Sequence, residues 1–103
     1  MTQAILKDLR QRLLELYGQR FDRLILFGSQ ARGDAEESSD VDVLVVLHGS
    51  VSPEEEIRRT GHMVAELSLA NDLVISCSFI SSQRFISEKS PFLLNIHREG
   101  IIL

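Results

Sequence analysis

Two short stretches carry residues that could do chemistry together. Gly28-Ser29 closes an apolar run, Leu24-Ile25-Leu26-Phe27, and ten residues later Asp40-x-Asp42 opens another, Val41 to Leu47. Residues i and i+2 of a strand share a face, so the two carboxylates would stand about 7 Å apart, beside Leu44 and Val46. Like charges on an otherwise apolar face repel and are poorly solvated. A divalent cation removes that penalty. Hard oxygen ligands suit Mg²⁺ or Mn²⁺, and magnesium usually keeps waters and takes phosphate oxygens as further ligands. Gly28 fits the same picture, because glycine at a strand end lets a phosphate come close to the backbone. Ser29, with the amides of a short helical turn, can donate to phosphate oxygens, and Arg32 one turn on adds positive charge. Taken singly, Gly-Ser is a turn and each Asp a solvated strand end. The conjunction points to one site with a phosphate-holding end and a metal-holding end.

The elements that must position these residues follow from periodicity. Leu6, Leu9, Leu13 and Leu16, with Ile5 and Tyr17, predict an amphipathic helix over 2–17, with Thr2 as N-cap and Gly18 just past its end. The continuous run at 24–27 predicts a strand buried on both faces. Ala31 and Arg32 predict a single helical turn, and Gly33 to Ser39 a polar, acidic loop. Asp34, Glu36 and Glu37 in that loop read as a solvated edge. In the second strand Asp40, Asp42, Leu44 and Val46 share one face, and Val41, Val43, Val45 and Leu47 the other. His48-Gly49-Ser50 is a turn. Ser52-Pro53-Glu54-Glu55 predicts a helix start with Ser52 as cap and Glu55 closing a capping box. That helix carries Ile57, Val64 and Leu67 inward and ends near Ala70-Asn71. Leu73 to Ile80 predicts a third strand with Asp72 at its entrance. Ser81-Ser82 would cap a short turn through Phe85. Ser90-Pro91 opens a last helix with Phe92, Leu93, Leu94 and Ile96 inside, and Ile101-Ile102-Leu103 forms an edge strand. The order predicts an α/β fold, a small mixed β-sheet with helices packed on it. The short first connection allows antiparallel pairing, and the long helix before the third strand is a crossover.

Composition narrows the function classes. The chain has 103 residues, which predicts one domain over 1–103. A net charge of −4 argues against broad nucleic-acid binding, which needs a basic face. The single cysteine, Cys77, excludes an intrachain disulfide framework and a Cys-rich zinc site, and suits a reducing, cytoplasmic location. The N-terminal stretch lacks the apolar core of a signal peptide, and no run is long enough to span a membrane. His48, His62 and His97 are scattered, without metal spacing. Cys77 reads as a buried thiol, Arg84 as solvated, and Gly61, unfavourable inside a helix, as a point of close packing on the sheet or a partner.

Gly28-Ser29, ten residues, then Asp40-x-Asp42, inside LFGSQARG…SDVDVLVV, closely resembles the signature of the nucleotidyltransferase superfamily related to DNA polymerase β. The short chain resembles its minimal nucleotidyltransferase branch, whose members often act as antitoxins paired with a small helical HEPN-type ribonuclease toxin. The signature covers residues 24–47, and the element order extends the likeness over most of the chain. The resemblance implies a polymerase β-like nucleotidyltransferase fold. Gly28 and Ser29 would hold the phosphates of ATP or another NTP, with Arg32 beside them. Asp40 and Asp42 would ligate two Mg²⁺ ions in an attack on the α-phosphate, with pyrophosphate leaving. The family's third carboxylate, on the strand after the crossover helix, falls to Asp72, the acid at that strand's entrance. Asn71-Asp72 can equally end a helix and make a turn.

Three functions compete. In the first, the protein moves AMP, or another NMP, to a hydroxyl on a protein partner, such as a tyrosine of a cognate toxin. In the second it is a weak or inactive antitoxin or nucleotide-binding subunit that acts by contact. In the third it modifies a small molecule, for which no acceptor pocket is evident unless a homo-oligomer builds one across its interface.

Overall fold

The computed structural model describes residues 2–33 and 40–103. Helix α1 (Thr2–Tyr17) leads through a 3₁₀ turn to strand β1 (Phe21–Phe27) and the single turn α2 (Ser29–Arg32). Strand β2 (Val41–Leu47), helix α3 (Pro53–Ala70) and strand β3 (Ile75–Ser81) follow, then α4 (Ser82–Ser87), α5 (Pro91–Glu99) and the two-residue β4 (Ile101–Ile102). The acidic loop residues Asp34, Glu36 and Glu37 lie outside the described residues.

The sheet has the order β3-β2-β1-β4. Strand β1 runs antiparallel to β2 and β4, and β2 runs parallel to β3. This is the mixed sheet that the short and long connections predict. The period-two alternation of β2 builds both layers. Val41, Val43, Val45 and Leu47 pack with Leu24 and Leu26 under Leu6, Leu9 and Leu13 of α1 and Leu67 of α3. On the other face Ile25, Leu44, Val46 and Ile80 meet Phe85 of α4 and Leu93 and Ile96 of α5. Ser81 and Ser90 cap α4 and α5, their hydroxyls accepting from the amides of Arg84 and Leu93.

Several expectations need correction. Strand β1 begins at Phe21 rather than Leu24, and β3 at Ile75 rather than Leu73. Ser52 makes no side-chain cap bond, so the capping box does not form. Ile57 is exposed, and the inner face of α3 is Glu56, Thr60 and Leu67. Leu16, Phe92 and Leu94 are also exposed. Hydrophobic periodicity points one position away from the inner face of α3 because that face carries polar residues. Among the described residues Gly61 packs against no other element, since a Cβ added there would meet none of their atoms within 4 Å.

Glu56 is tolerated inside because its charge is fully engaged. The Tyr17 hydroxyl donates to its Oε1 at 2.7 Å, Arg59 donates to the same oxygen at 3.2 Å, and Arg20 lies 3.6 Å from Oε2. Burial first, and the bond to Glu56 next, hold the Tyr17 phenol protonated well above its ordinary range. This network ties α1 to α3. Glu56→Ala strands a buried phenol, so we expect a loss of about 2 kcal/mol, seen in thermal melts as a drop of roughly 10 °C.

Candidate active site

The site forms at the end of the sheet where β1 stops and β2 starts. Phe27 and Asp42 are partners across the antiparallel pair, so their side chains share the face that also carries Leu44 and Val46. The chain then turns at Gly28, which holds φ 76° and ψ −157°, a backbone region essentially restricted to glycine. The Asp42 carboxylate packs directly on that backbone. A Cβ at residue 28 would stand 2.6 Å from Asp42 Oδ2. Glycine is therefore required twice, by the turn and by the carboxylate beside it.

Beyond Gly28 the chain makes one helical turn. The amides of Ala31 and Arg32 both bond to the Gly28 carbonyl at 3.1 Å. Ser29 opens this turn and Gly33 closes it, with its N–H on the Ser29 carbonyl. Arg32 is exposed, with NH1 3.7 Å from Glu99 Oε2. Gly28, Ser29 and Arg32 are thus brought together at one strand end, as the spacing predicts.

Asp40 stands exposed immediately before β2, and Asp42 is half-buried within it. Burial first, and the neighbouring Asp40 charge second, push the Asp42 carboxyl above its ordinary value of 3.8. Neither carboxylate makes an ion pair among the described residues. Two hard oxygen ligands two residues apart at the start of one strand suit Mg²⁺, so the pair passes the chemical test for that ion.

Asp72 is placed differently from Asp40 and Asp42. It lies in the exposed turn before β3, with φ 52°, the one positive value outside glycine among the described residues. The Val41 amide bonds to the Val74 carbonyl at 2.8 Å, so that turn is at the same end of the sheet as the aspartate pair. Among the described residues, however, no three His, Cys, Asp or Glu side chains are grouped to hold a metal ion. The residue in register with Asp42 on β3 is Ser76, exposed on the same face. The linear pattern puts Ser76 on one face with Asp72 and Val74 but does not set it beside Asp42, and only the strand register shows that. Nor does it disclose a cleft of about 160 Å³ beside Gly28, lined by Phe27, Arg32, Phe92 and Asn95. Phe92 meets Phe27 edge-on there, with centroids 5.4 Å apart.

The remaining candidates have structural partners. His97 Nε2 lies 3.0 Å from the Phe85 carbonyl, and Arg84 pairs with Glu88 at 2.6 Å. Burial pushes the Cys77 thiol up to about 12, so it is not a ready nucleophile.

The nucleotidyltransferase domain profile matches residues 6–95, which include every one of the site positions above. The chain belongs to the nucleotidyltransferase domain family. A protein adenylyltransferase, MntA, of Thermococcus cleftensis is 37% identical over 79 residues, covering 77% of this chain and 78% of that one. A Methanocaldococcus jannaschii protein named as a candidate protein adenylyltransferase is 36% identical over 72 residues, 70% of this chain and 72% of its own. Among solved structures, a toxin–antitoxin complex with AMP-PNP superposes with a TM-score of 0.63 at 17% identity, covering 90% of this chain and 68% of that one. That structural likeness carries the fold. The nucleotidyltransferase domain assigned by the profile is the mixed α/β sheet described above. No helix among the described residues is long and apolar enough to cross a membrane.

Proposed function

We propose that residues 1–103 form one minimal nucleotidyltransferase domain that moves AMP from ATP to a hydroxyl of a protein partner, as the antitoxin of a HEPN-type toxin. One observation carries this reading. The Asp42 carboxylate lies against the Gly28 backbone, which supports reading the metal-holding and phosphate-holding halves as one site. Relatives named as protein adenylyltransferases support the choice of donor and acceptor class. A structural neighbour that is a toxin–antitoxin complex with AMP-PNP supports the nucleotide and the partner.

Asp40 and Asp42 would hold two Mg²⁺ ions, which when bound neutralise charge on the phosphate oxygens. Gly28 and Ser29 present backbone and hydroxyl to the phosphates, and Arg32 adds a positive charge. In the reaction the acceptor oxygen bonds to the α-phosphorus. The bond from that phosphorus to its bridging oxygen breaks, and pyrophosphate leaves with that electron pair. A carboxylate of the site takes the acceptor proton.

The experiment is incubation of the protein with α-labelled ATP, Mg²⁺ and the HEPN-type partner. Label on the partner, lost in Asp42→Ala, is the expected result. A tight complex with no transfer, unchanged by Asp42→Ala, would sink the enzymatic reading. It would favour the second one, a catalytically weak or inactive subunit that acts by contact. The observation behind that alternative is the missing three-carboxylate group among the described residues.

Asp72 is assigned the third carboxylate, supplied from the turn ahead of β3. Asparagine accepts the same left-handed backbone, so Asp72→Asn removes the charge and keeps the turn. Transfer should fall about 100-fold, the scale of losing one precisely placed electrostatic group, with an unchanged melting temperature. An unchanged rate removes Asp72 from the site.

A further inference from the structure

We propose that the outer edge of β3, with the flank of α3 above it, is a self-association surface that pairs with a second copy of this chain. The inference stands apart from the proposed function and rests on the edge itself.

The sheet has two edges, and they differ. β4 is two residues long, whereas β3 is seven. The Val41-to-Val74 bond fixes the phase of the parallel ladder. Alternate residues of such a ladder bond to the neighbouring strand, so Ser76, Ser78 and Ile80 face β2 with their backbone groups. The N–H and C=O groups of Cys77 and Phe79 therefore point outward. Natural edges are shielded by charge, proline or a bulge. The segment Ile75–Ser81, ISCSFIS, has neither a charge nor a proline.

The helix beside this edge matches it. Ile57, Gly61, Val64 and Ser68 recur at helical spacing and form one flank of α3. Ser68 Oγ accepts from the Ile75 amide at 3.2 Å, which places that flank over the β3 edge. The opposite flank faces α1 through Arg12–Glu66. Ile57 is 54% exposed, and Gly61 is exposed with no described atom within 4 Å of an added Cβ, so the Ile57–Gly61 part of this flank is uncovered, while Val64 packs partly on the core.

Both features are centred at one level, which is what a two-fold axis requires. From Ile75 to Ser78 the strand climbs about 10 Å, and α3, running the other way, covers that distance in roughly seven residues. Seven back from Ser68 is Gly61. An axis through the middle of β3 sets Ser78 against its symmetry mate and Cys77 against Phe79, each pair on a common face. Cys77 and Phe79 then exchange backbone bonds, and Ser78 falls at a close, non-hydrogen-bonded pair. Gly61 lets the two α3 helices approach above it. The whole chain is acidic, at −4, but the neutral strand brings no like charges together at the axis.

Light scattering on the intact protein across the micromolar range tests this. A two-chain mass is expected, shifting to one chain in Ser78→Asp, which faces like charges across the axis. Gly61→Lys should do the same. It adds a better helix former where no atom is met, so its fold is preserved. In a Cys77→Ser background, Ser78→Cys should give a disulfide-linked pair on mild oxidation. A one-chain mass throughout overturns the proposal, including the case where the edge amides gain exchange protection only with a different protein. A two-chain mass undiminished in both Ser78→Asp and Gly61→Lys overturns it as well.

Discussion

Asp42→Asn is expected to lower nucleotidyl transfer on the order of 10³-fold or more, while the protein melts at the same temperature or higher. The two effects have one cause. Asp42 is half-buried, beside a second carboxylate, on a face shared with Leu44 and Val46. Its ionised form is disfavoured by burial first and Asp40 second, so its folded pKa lies above the ordinary 3.8. A raised carboxyl pKa means the folded state holds its proton more tightly than the unfolded chain does. The resulting stability is fully present below 3.8 and is lost as pH rises through the raised folded value. Metal-free wild-type protein should therefore lose stability across that acidic window, and Asp42→Asn should lack this component of the slope. Added Mg²⁺ should raise the melting temperature of the wild type at neutral pH and leave Asp42→Asn unchanged, because a ligand that binds only the folded state stabilises it. Melting curves over pH, with and without Mg²⁺, check both signs. A wild type insensitive to Mg²⁺ would contradict the metal-holding role of the pair.

Much of this site is legible in the amino-acid order alone, for a physical reason. Strand alternation is strict, so the apolar pattern of Val41 to Leu47 fixes the faces of β2 and puts Asp42 on one of them. Gly28 marks the preceding strand's end, and the short connection makes the two strands neighbours. Other features depend on relations that a linear pattern does not contain. Ser76 lies beside Asp42 only because β2 and β3 pair in a particular register. Asp72 is displaced from β3 because the chain leaves α3 through a left-handed turn before the strand begins. Glu56 reads as one more surface acid in a run of three, and it is buried because Tyr17, thirty-nine positions away, supplies its partner. Periodicity finds apolar faces well and fails where a helix buries a satisfied charge. The same limit explains Ile57, which an apolar pattern turns inward and the fold leaves outside.

Gly28→Ala tests the geometric core of the site most directly, and its cost should split into two separable parts. The first is backbone strain, because alanine must adopt φ 76°. The second is steric, because the new Cβ would lie 2.6 Å from Asp42 Oδ2. Together they should destabilise the fold by about 2–3 kcal/mol. Transfer should fall as well, since relief of the clash requires the Asp42 carboxylate to move. The parts separate in a double-mutant cycle. The Asp42 Cβ would be 3.5 Å from the new methyl, an ordinary contact. In an Asp42→Ala background, Gly28→Ala should therefore retain only the strain of a glycine-only backbone region, on the order of 1 kcal/mol or somewhat more. The difference between the backgrounds, on the order of 1–2 kcal/mol by denaturant titration, measures the contact between the two halves of the site. Equal costs in both backgrounds would mean that residues 28 and 42 do not touch, and that the phosphate-holding turn and the metal-holding strand are not coupled in the way the site requires.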